Sequence, residues 1–492
     1  MRWSLVIAIG LGWLVTRAAA GGEPTGGEGS TGGGPSFGIL VGFGDADITP
    51  PIGYRVAGNY HESISRGIDD PLMARAMYVS DGASKHGDAV LVVSLDVCSI
   101  GRDVHDTLRR RIVERTGMKF SHIMISATHN HAGPEYYGVM RDHHHDVAQK
   151  RFGTDPHERV NYVELLATRV SAAASRARAS AIPARVRCGD IRVPGIAFNR
   201  RFHKLDGTVR FNPGFANPDI IRAAGPVDDR MTVLWFDDVH GQPLGCHVTF
   251  PMHTATYGDL TRFGADFPGV LEDRLREKYG KRFVCLFGEG TAGDINHLDF
   301  QNGQPPDQWS EASRIGRRMA SELETNFETL ATLENARLRF NESFVSLPLI
   351  RPDREKLQHA PELLFRPTAV PFLDRVAAWQ TLNTERYRSR FGDELPTRIF
   401  AFSIGPRYAM VMMPHEIFVE LGMAIRSRSP FPVTSVVTLA GDMDFYIATE
   451  RAYAEGSYEI TTSSVRPGSG EGLVDAAVQS LRTLVDDRPR PE

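Results

Sequence analysis

Cysteine is scarce in this 492-residue chain. There are four, Cys98, Cys188, Cys246 and Cys285, widely scattered and without a C-x-x-C pair. A disulfide-stapled scaffold is excluded, and free core thiols are expected, with one disulfide left open for an oxidising compartment. A basic excess is also missing. Lys and Arg number 56 against 60 Asp and Glu, for a formal net charge of −4. Nothing in that balance asks for nucleic acid, whose phosphates are normally met by a positive surplus. Past the N-terminus no run approaches the ~20 apolar residues of a membrane-spanning helix. No internal repeat occurs. Apolar content of 41% and charged content of 24% are those of an ordinary soluble domain with a sizeable core.

What is present begins at the N-terminus. Arg2 precedes an apolar run over residues 4–15, and Ala18-Ala19-Ala20 supplies small residues for cleavage. This pattern predicts a secretory signal peptide over residues 1–20 and hence a periplasmic or extracellular protein. A Gly/Ser/Thr-rich stretch over 21–36 predicts a flexible linker. With no second linker as clear, residues 37–492 are expected to form one large domain.

Strand-like runs fall at Gly38–Phe43, Ala74–Val79, Ala89–Leu95, His122–Ala127, Met231–Phe236, Cys246–Phe250, Arg282–Phe287, Arg398–Ile404 and Tyr408–Met413. Helix-like runs fall at Asp103–Arg115, Tyr162–Ala181, Glu311–Leu330, Glu416–Arg428 and Gly472–Val485. Their alternation predicts an α/β fold: a layered mixed β-sheet core flanked by helices.

Five segments could carry chemistry. Thr128-His129-Asn130-His131 leaves an apolar strand, and alternation along an extended chain would aim His129 and His131 the same way, as the seed of a metal site. Phe250-Pro251-Met252-His253 ends another strand, with His247 competing inside it. The glycine-rich Gly288–Asn296 follows a third strand and could bring backbone N–H groups close to a ligand. Met413-Pro414-His415-Glu416 sets a carboxylate at a strand-to-helix junction. Asp444–Glu450 and Tyr458-Glu459 add Tyr446 and Tyr458. Each also has a plain structural reading: loop or core histidines, a tight turn, a glutamate on a helix dipole, packing tyrosines. His143-His144-His145, within a polar stretch, reads as a solvated loop.

In this order the segments resemble the neutral/alkaline non-lysosomal ceramidase family. Gly42–Gly53, Asp69–Ala76, Ser94-Leu95-Asp96 and Asn199-Arg200-Arg201 join the resemblance, which runs from about Phe37 to the C-terminus. It implies one catalytic zinc ion held by His129, His253, Glu416 and Tyr446. It implies His131 as the neighbouring catalytic histidine, and Arg200 (or the adjacent Arg201) and Tyr458 as contacts of the substrate carbonyl. Gly293, Asp294 and Asn296 belong to the implied substrate loop. The implied activity is zinc-dependent hydrolysis of a linear amide C–N bond in an N-acyl sphingoid base or similar N-acyl lipid, a substrate that would bring the protein to a membrane surface. The chain departs from the family in two places. Asn296 stands where the family carries a serine. The chain also ends at Glu492, soon after the Gly472–Val485 run, where family members often continue into a β-rich domain. These departures keep two alternatives in view: a metal-dependent esterase or amidase acting on a non-lipid substrate, and a non-catalytic metal-containing binding protein.

Overall fold

Strands that read as unbroken apolar runs need cover on both faces. Val90-Leu91-Val92-Val93 receives it by alternation, Val90 and Val92 entering one hydrophobic cluster and Leu91 and Val93 another. The computed structural model describes residues 38–82, 89–257, 260–307, 310–334, 336–366, 370–442 and 445–485. The expected signal peptide and linker lie outside the described residues, as does Asp444.

The larger sheet has nine strands. Eight follow the spatial order Val284–Glu289, Pro243–Phe250, Arg230–Asp238, Ile182–Arg192, Ile39–Asp47, Met73–Ser80, Ala89–Leu95 and Ile123–Ala127, and Ala331–Thr332 adds to Ile182–Arg192. Pairing is antiparallel through the middle and parallel at both ends. A second sheet of four strands runs Leu338–Pro348, Glu394–Ile404, Tyr408–Met412 and Val433–Val437. The two sheets face each other across a shared core that includes Val41, Met124 and Leu234 from one and Phe400, Phe402 and Met410 from the other. Helices cover the outer faces: Arg102–Thr116 and Tyr162–Ala179 on one part of the large sheet, Asp266–Tyr279 and Glu311–Thr325 on another, Val419–Arg428 and Ser469–Arg482 on the small sheet. The result is the layered, mixed-sheet α/β architecture that the alternation predicts.

The large sheet curls strongly. Ser94 Oγ, next to one edge, donates to Phe287 O on the opposite edge strand at 2.5 Å. The carboxyl ends of the parallel edge strands are thereby brought together. Gly42 and Gly44 have a packing role in this curl. The Ala-rich helix Tyr162–Ala179 crosses so close that a Cβ at either position would run into the carbonyl oxygens of Ala177 or Ala173.

Local structure departs from expectation where tertiary contacts outweigh pattern. His143, His144 and His145 lie in the helix Gly138–Phe152, not in a loop, and His145 Nδ1 is 2.9 Å from Asp155 Oδ2. That helix buries only Met140 and Ala148, so it carried no apolar stripe to read. The helix expected from Glu416 starts at Val419, because Glu416-Ile417 pairs as a short parallel strand with Tyr446-Ile447. The helix expected to reach Leu330 stops at Thr325, where Asn326 Nδ2 donates back to Glu322 O. Of the cysteines, Cys188, Cys246 and Cys285 are free and buried, whereas free Cys98 is only partly covered.

Arg55 is fully buried and meets Asp155 at 2.7 Å, Glu62 at 2.8 Å and Glu158 at 3.2 Å. It ties the segment bearing Gly58, Asn59 and Tyr60 to the loop after the helix Gly138–Phe152. Removing one partner of such a buried set strands the others without counter-charge. Arg55→Met should therefore cost about 3–5 kcal/mol of stability, read as a lower urea midpoint at an unchanged denaturant slope.

Candidate metal centre

His129 follows the edge strand Ile123–Ala127 by two residues and sits in the left-handed region at φ 62°. The chain has already turned, so strand alternation is not what aligns the two histidines. The turn itself sets their rings 4.8 Å apart in edge-to-face contact, with Nε2 to Nε2 at 3.4 Å. His131 N donates to Thr254 O at 3.1 Å, which fastens this turn to the loop carrying His253. Gly58, at φ 88°, passes so close that a Cβ there would lie 2.7 Å from His131 Nδ1. Glu416 and Tyr446 are register partners in their short parallel pair. One two-residue ladder thus places both side chains at the same depth.

Hydrogen bonds decide the tautomers. His129 Nδ1 is 2.9 Å from Cys98 O and His253 Nδ1 is 2.8 Å from Ala292 O. A carbonyl only accepts, so each Nδ1 donates and each neutral ring keeps its lone pair on Nε2. Both Nε2 atoms face Glu416 Oε2, at 3.3 Å from His129 and 2.9 Å from His253. Lone pairs aimed at a carboxylate repel unless a positive charge lies between them. Glu416 Oε2 is moreover buried without a well-formed hydrogen bond. Two imidazole nitrogens oriented through backbone carbonyls, plus a carboxylate, form the donor set that zinc favours. The residues fit a divalent cation, and the ligand atoms of His129, His253 and Glu416 lie within 4.8 Å of one another.

Electrostatics agree with that geometry. Burial pushes the Glu416 carboxyl up, but His129 and His253 outweigh it and hold it well below the usual range. Burial and then Arg200 lower His253 to about 4. Burial opposes protonation of His129, yet Glu289 and Glu416 raise it well above an ordinary imidazole. A proton or a cation must meet the buried negative charge.

Arg200 and Arg201 both reach Glu459 but differ in their other partners. Arg200 Nη1 reaches His253 Nε2 at 3.2 Å, its Nε donates to Glu459 Oε1 at 2.8 Å and its Nη2 to Gly293 O at 2.8 Å. Arg201 instead donates to Gly456 O at 2.9 Å, away from the histidines. Tyr446 Oη is 3.5 Å from His253 Nε2, and the Tyr458 hydroxyl is 2.9 Å from that of Tyr60. In the glycine-rich loop, Asp294 braces the scaffold: its Oδ2 accepts from Asn199 and its Oδ1 from Val419 N. Asn296 faces a cavity and donates to Asn212 Oδ1 at 3.0 Å. His247 is buried in its strand, outside the His129–His253–Glu416 group, and burial lowers it to about 3.

Two hollows meet at His131. An inner one is lined by His129, Glu416, Tyr136, Tyr137 and Trp379. An outer one is lined by Arg200, His253, Asn296 and Phe372. Tyr60, Tyr446 and Tyr458 border both. A compound with two limbs and its reacting group between them fits that plan.

Sequence reasoning missed Tyr60, Glu289 and the carbonyls of Cys98 and Ala292. Only Glu289 and Ala292, inside the glycine-rich loop, carried any local signal. Two other clusters have suitable side chains. In the set Cys98, His129 and His131, the Nδ1 edge of His129 facing Cys98 is occupied by the Cys98 carbonyl. In His145, Asp155 and Glu158, the carboxylates already hold Arg55 and Arg141.

Glu416→Gln and His253→Ala should each weaken zinc binding by more than the about 100-fold that loss of an outer partner costs. Competition against a chromogenic chelator measures this, and wild-type affinity in either variant would move the site elsewhere.

Comparisons with known proteins bear on the family and the fold. Residues 39–298 match the family described as neutral/alkaline non-lysosomal ceramidase, N-terminal. The neutral ceramidase of Pseudomonas aeruginosa is 25% identical over 330 residues, which cover 63% of this chain and 46% of that protein. The chain thus spans about half the length of the curated relative it matches. The crystal structure of neutral ceramidase from Pseudomonas aeruginosa superposes with a TM-score of 0.68 at 20% identity, covering 92% of this chain and 75% of that one. A ceramidase complexed with C2 gives 0.66 at 19% identity, covering 92% and 77%. With more than half its length matched in sequence and a metal-ready triad at its heart, the chain belongs to the neutral/alkaline non-lysosomal ceramidase family.

Proposed function

We propose that the protein is an exported zinc-dependent amidohydrolase that cleaves the amide of an N-acyl sphingoid base or a similar N-acyl lipid. The observation carrying this reading is the buried Glu416 carboxylate facing the Nε2 lone pairs of His129 and His253. His129, His253, Glu416 and Tyr446 would hold the ion. Zinc there would supply Lewis-acid activation of water and of the amide carbonyl.

The remaining work belongs to the chain. His131 stands beside the triad where the two hollows join. Burial, then the neighbouring His129 and His253, keep it well below an ordinary imidazole, so it rests neutral with a ring lone pair, and a protonated ring would readily give its proton up. It takes the proton of the attacking water as the new C–O bond forms. It returns that proton to the amide nitrogen as the C–N bond breaks, leaving a carboxylic acid and an amine. Arg200, held by Glu459 and by Gly293 O, both at 2.8 Å, would present an N–H to the carbonyl oxygen. The Tyr458 hydroxyl, steadied by Tyr60, is the second donor. Such a donor typically contributes about 3–4 kcal/mol to the transition state.

The metal-dependent amidase or esterase on a non-lipid substrate is the second reading, favoured by the Asn212–Asn296 amide pair on the outer wall. Export rests on residues 1–20. N-terminal sequencing of the mature protein should begin just after Ala20, and an intact Met1 would refute export by cleavage.

His131→Ala should lower kcat about 10²- to 10⁴-fold with zinc retained, measured on a labelled long-chain N-acyl sphingoid base beside short esters and sugar amides. Full activity in that variant would remove His131 from the reaction. Zinc-loaded wild type that turns over only esters or sugar amides would transfer the reading to the second one.

A further inference from the structure

The two hollows differ in charge. The inner one contains the carboxyl groups of Glu135 and Glu416. Among the described residues no Asp or Glu lines the outer one, whose cations are Arg200 and Arg375. Arg200 is answered by Glu459 at 2.8 Å. Arg375 has no carboxylate in ion-pair reach among the described residues. Its nearest acceptors are the carbonyl oxygens of Tyr60 and Arg366, both at 3.5 Å, the outer limit of a hydrogen bond. Farther along the same helix, Phe372–Phe391, the guanidinium groups of Arg388 and Arg390 are paired, with Asp393 at 2.5 Å and Asp103 at 2.7 Å. On the same outer wall His297 Nδ1 is buried without a hydrogen-bond partner. This wall therefore offers a half-buried fork of donors and a polar ring atom, with an unmatched positive charge.

The position of Arg375 sets the spacing. Rings step outward from the metal centre, from His253 to Tyr446 at 6.5 Å, to Tyr458 at 5.6 Å and to Phe372 at 5.9 Å. Arg375 lies three residues beyond Phe372 and so shares its helix face. A group bound there is several bonds from an amide cleaved beside His131.

We propose that the outer hollow receives a limb of an amide substrate bearing a carboxylate several bonds beyond the amide, and that Arg375 is the specificity residue that reads that charge. The inference rests on the amidohydrolase reading for the placement of the amide beside His131. It is tested by binding, so that the two can fail separately. The probes are N-octanoyl aminohexanoate and its uncharged counterpart, the N-octanoyl amide of aminohexanol. Binding is measured by calorimetry on the full zinc-loaded chain carrying His131→Ala to block turnover. The carboxylate should bind at least about tenfold more tightly, as a charge-assisted guanidinium contact allows. Adding Arg375→Gln should abolish that preference while leaving the affinity for the alcohol unchanged, and Arg375→Lys should retain part of it. Equal affinity for the two probes, or a preference that survives Arg375→Gln, overturns the proposal. Turnover of the alcohol amide by wild type reports on the amidohydrolase reading alone.

Discussion

A carboxylate that is 5% exposed and aimed at two imidazole lone pairs is the constraint on which the rest depends. Burying an unpaired charge costs several kcal/mol even after relaxation. Glu416 therefore demands a positive partner, and the protein orients both rings so that a metal ion could serve as one. The Cys98 and Ala292 carbonyls do the orienting, although neither can touch the ion. Arg200 completes the set as a cation held back by Glu459, close enough to His253 to respond to what binds there.

Bringing these groups together is the work of the curled sheet. His129 leaves one parallel edge, and the loop bearing Ala292 leaves the other, far apart in strand order. On a flat sheet they could not share a ligand. Curling closes that distance, and the small sheet fills the concave side with Phe400, Phe402 and Met410 while delivering Glu416 from its own strand end. The helix Gly138–Phe152 and the Arg55 ion-pair set belong to the same economy of support, because they brace the walls of the hollows rather than the reacting groups.

The site is also asymmetric. An inner hollow with aromatic walls and an outer one with amides and an unmatched guanidinium meet at His131. That plan separates two tasks. Family membership and the triad go with a hydrolase fold and a metal-ready site, whereas the walls of the hollows carry the features particular to this chain, Asn296 and Arg375.

The sequence by itself determined the elements that are local in origin. Runs such as Val90–Val93 and Met231–Phe236 imposed buried strands because apolar, β-branched chains allow little else, and the ordered motifs singled out His129, His131, His253, Glu416 and Tyr446 before any geometry was known. It could not determine which of Arg200 and Arg201 faces the histidines, since both reach Glu459 and only distant partners, His253 for one and Gly456 for the other, tell them apart. Nor could it show that Glu416 sits in a strand, which exists only because Tyr446 pairs with it. Tyr60, the Cys98 and Ala292 carbonyls and the two unequal hollows were decided by tertiary structure alone. Each arises where separate segments converge, and convergence is fixed by sheet curvature and long-range hydrogen bonds that leave no periodic trace in the chain.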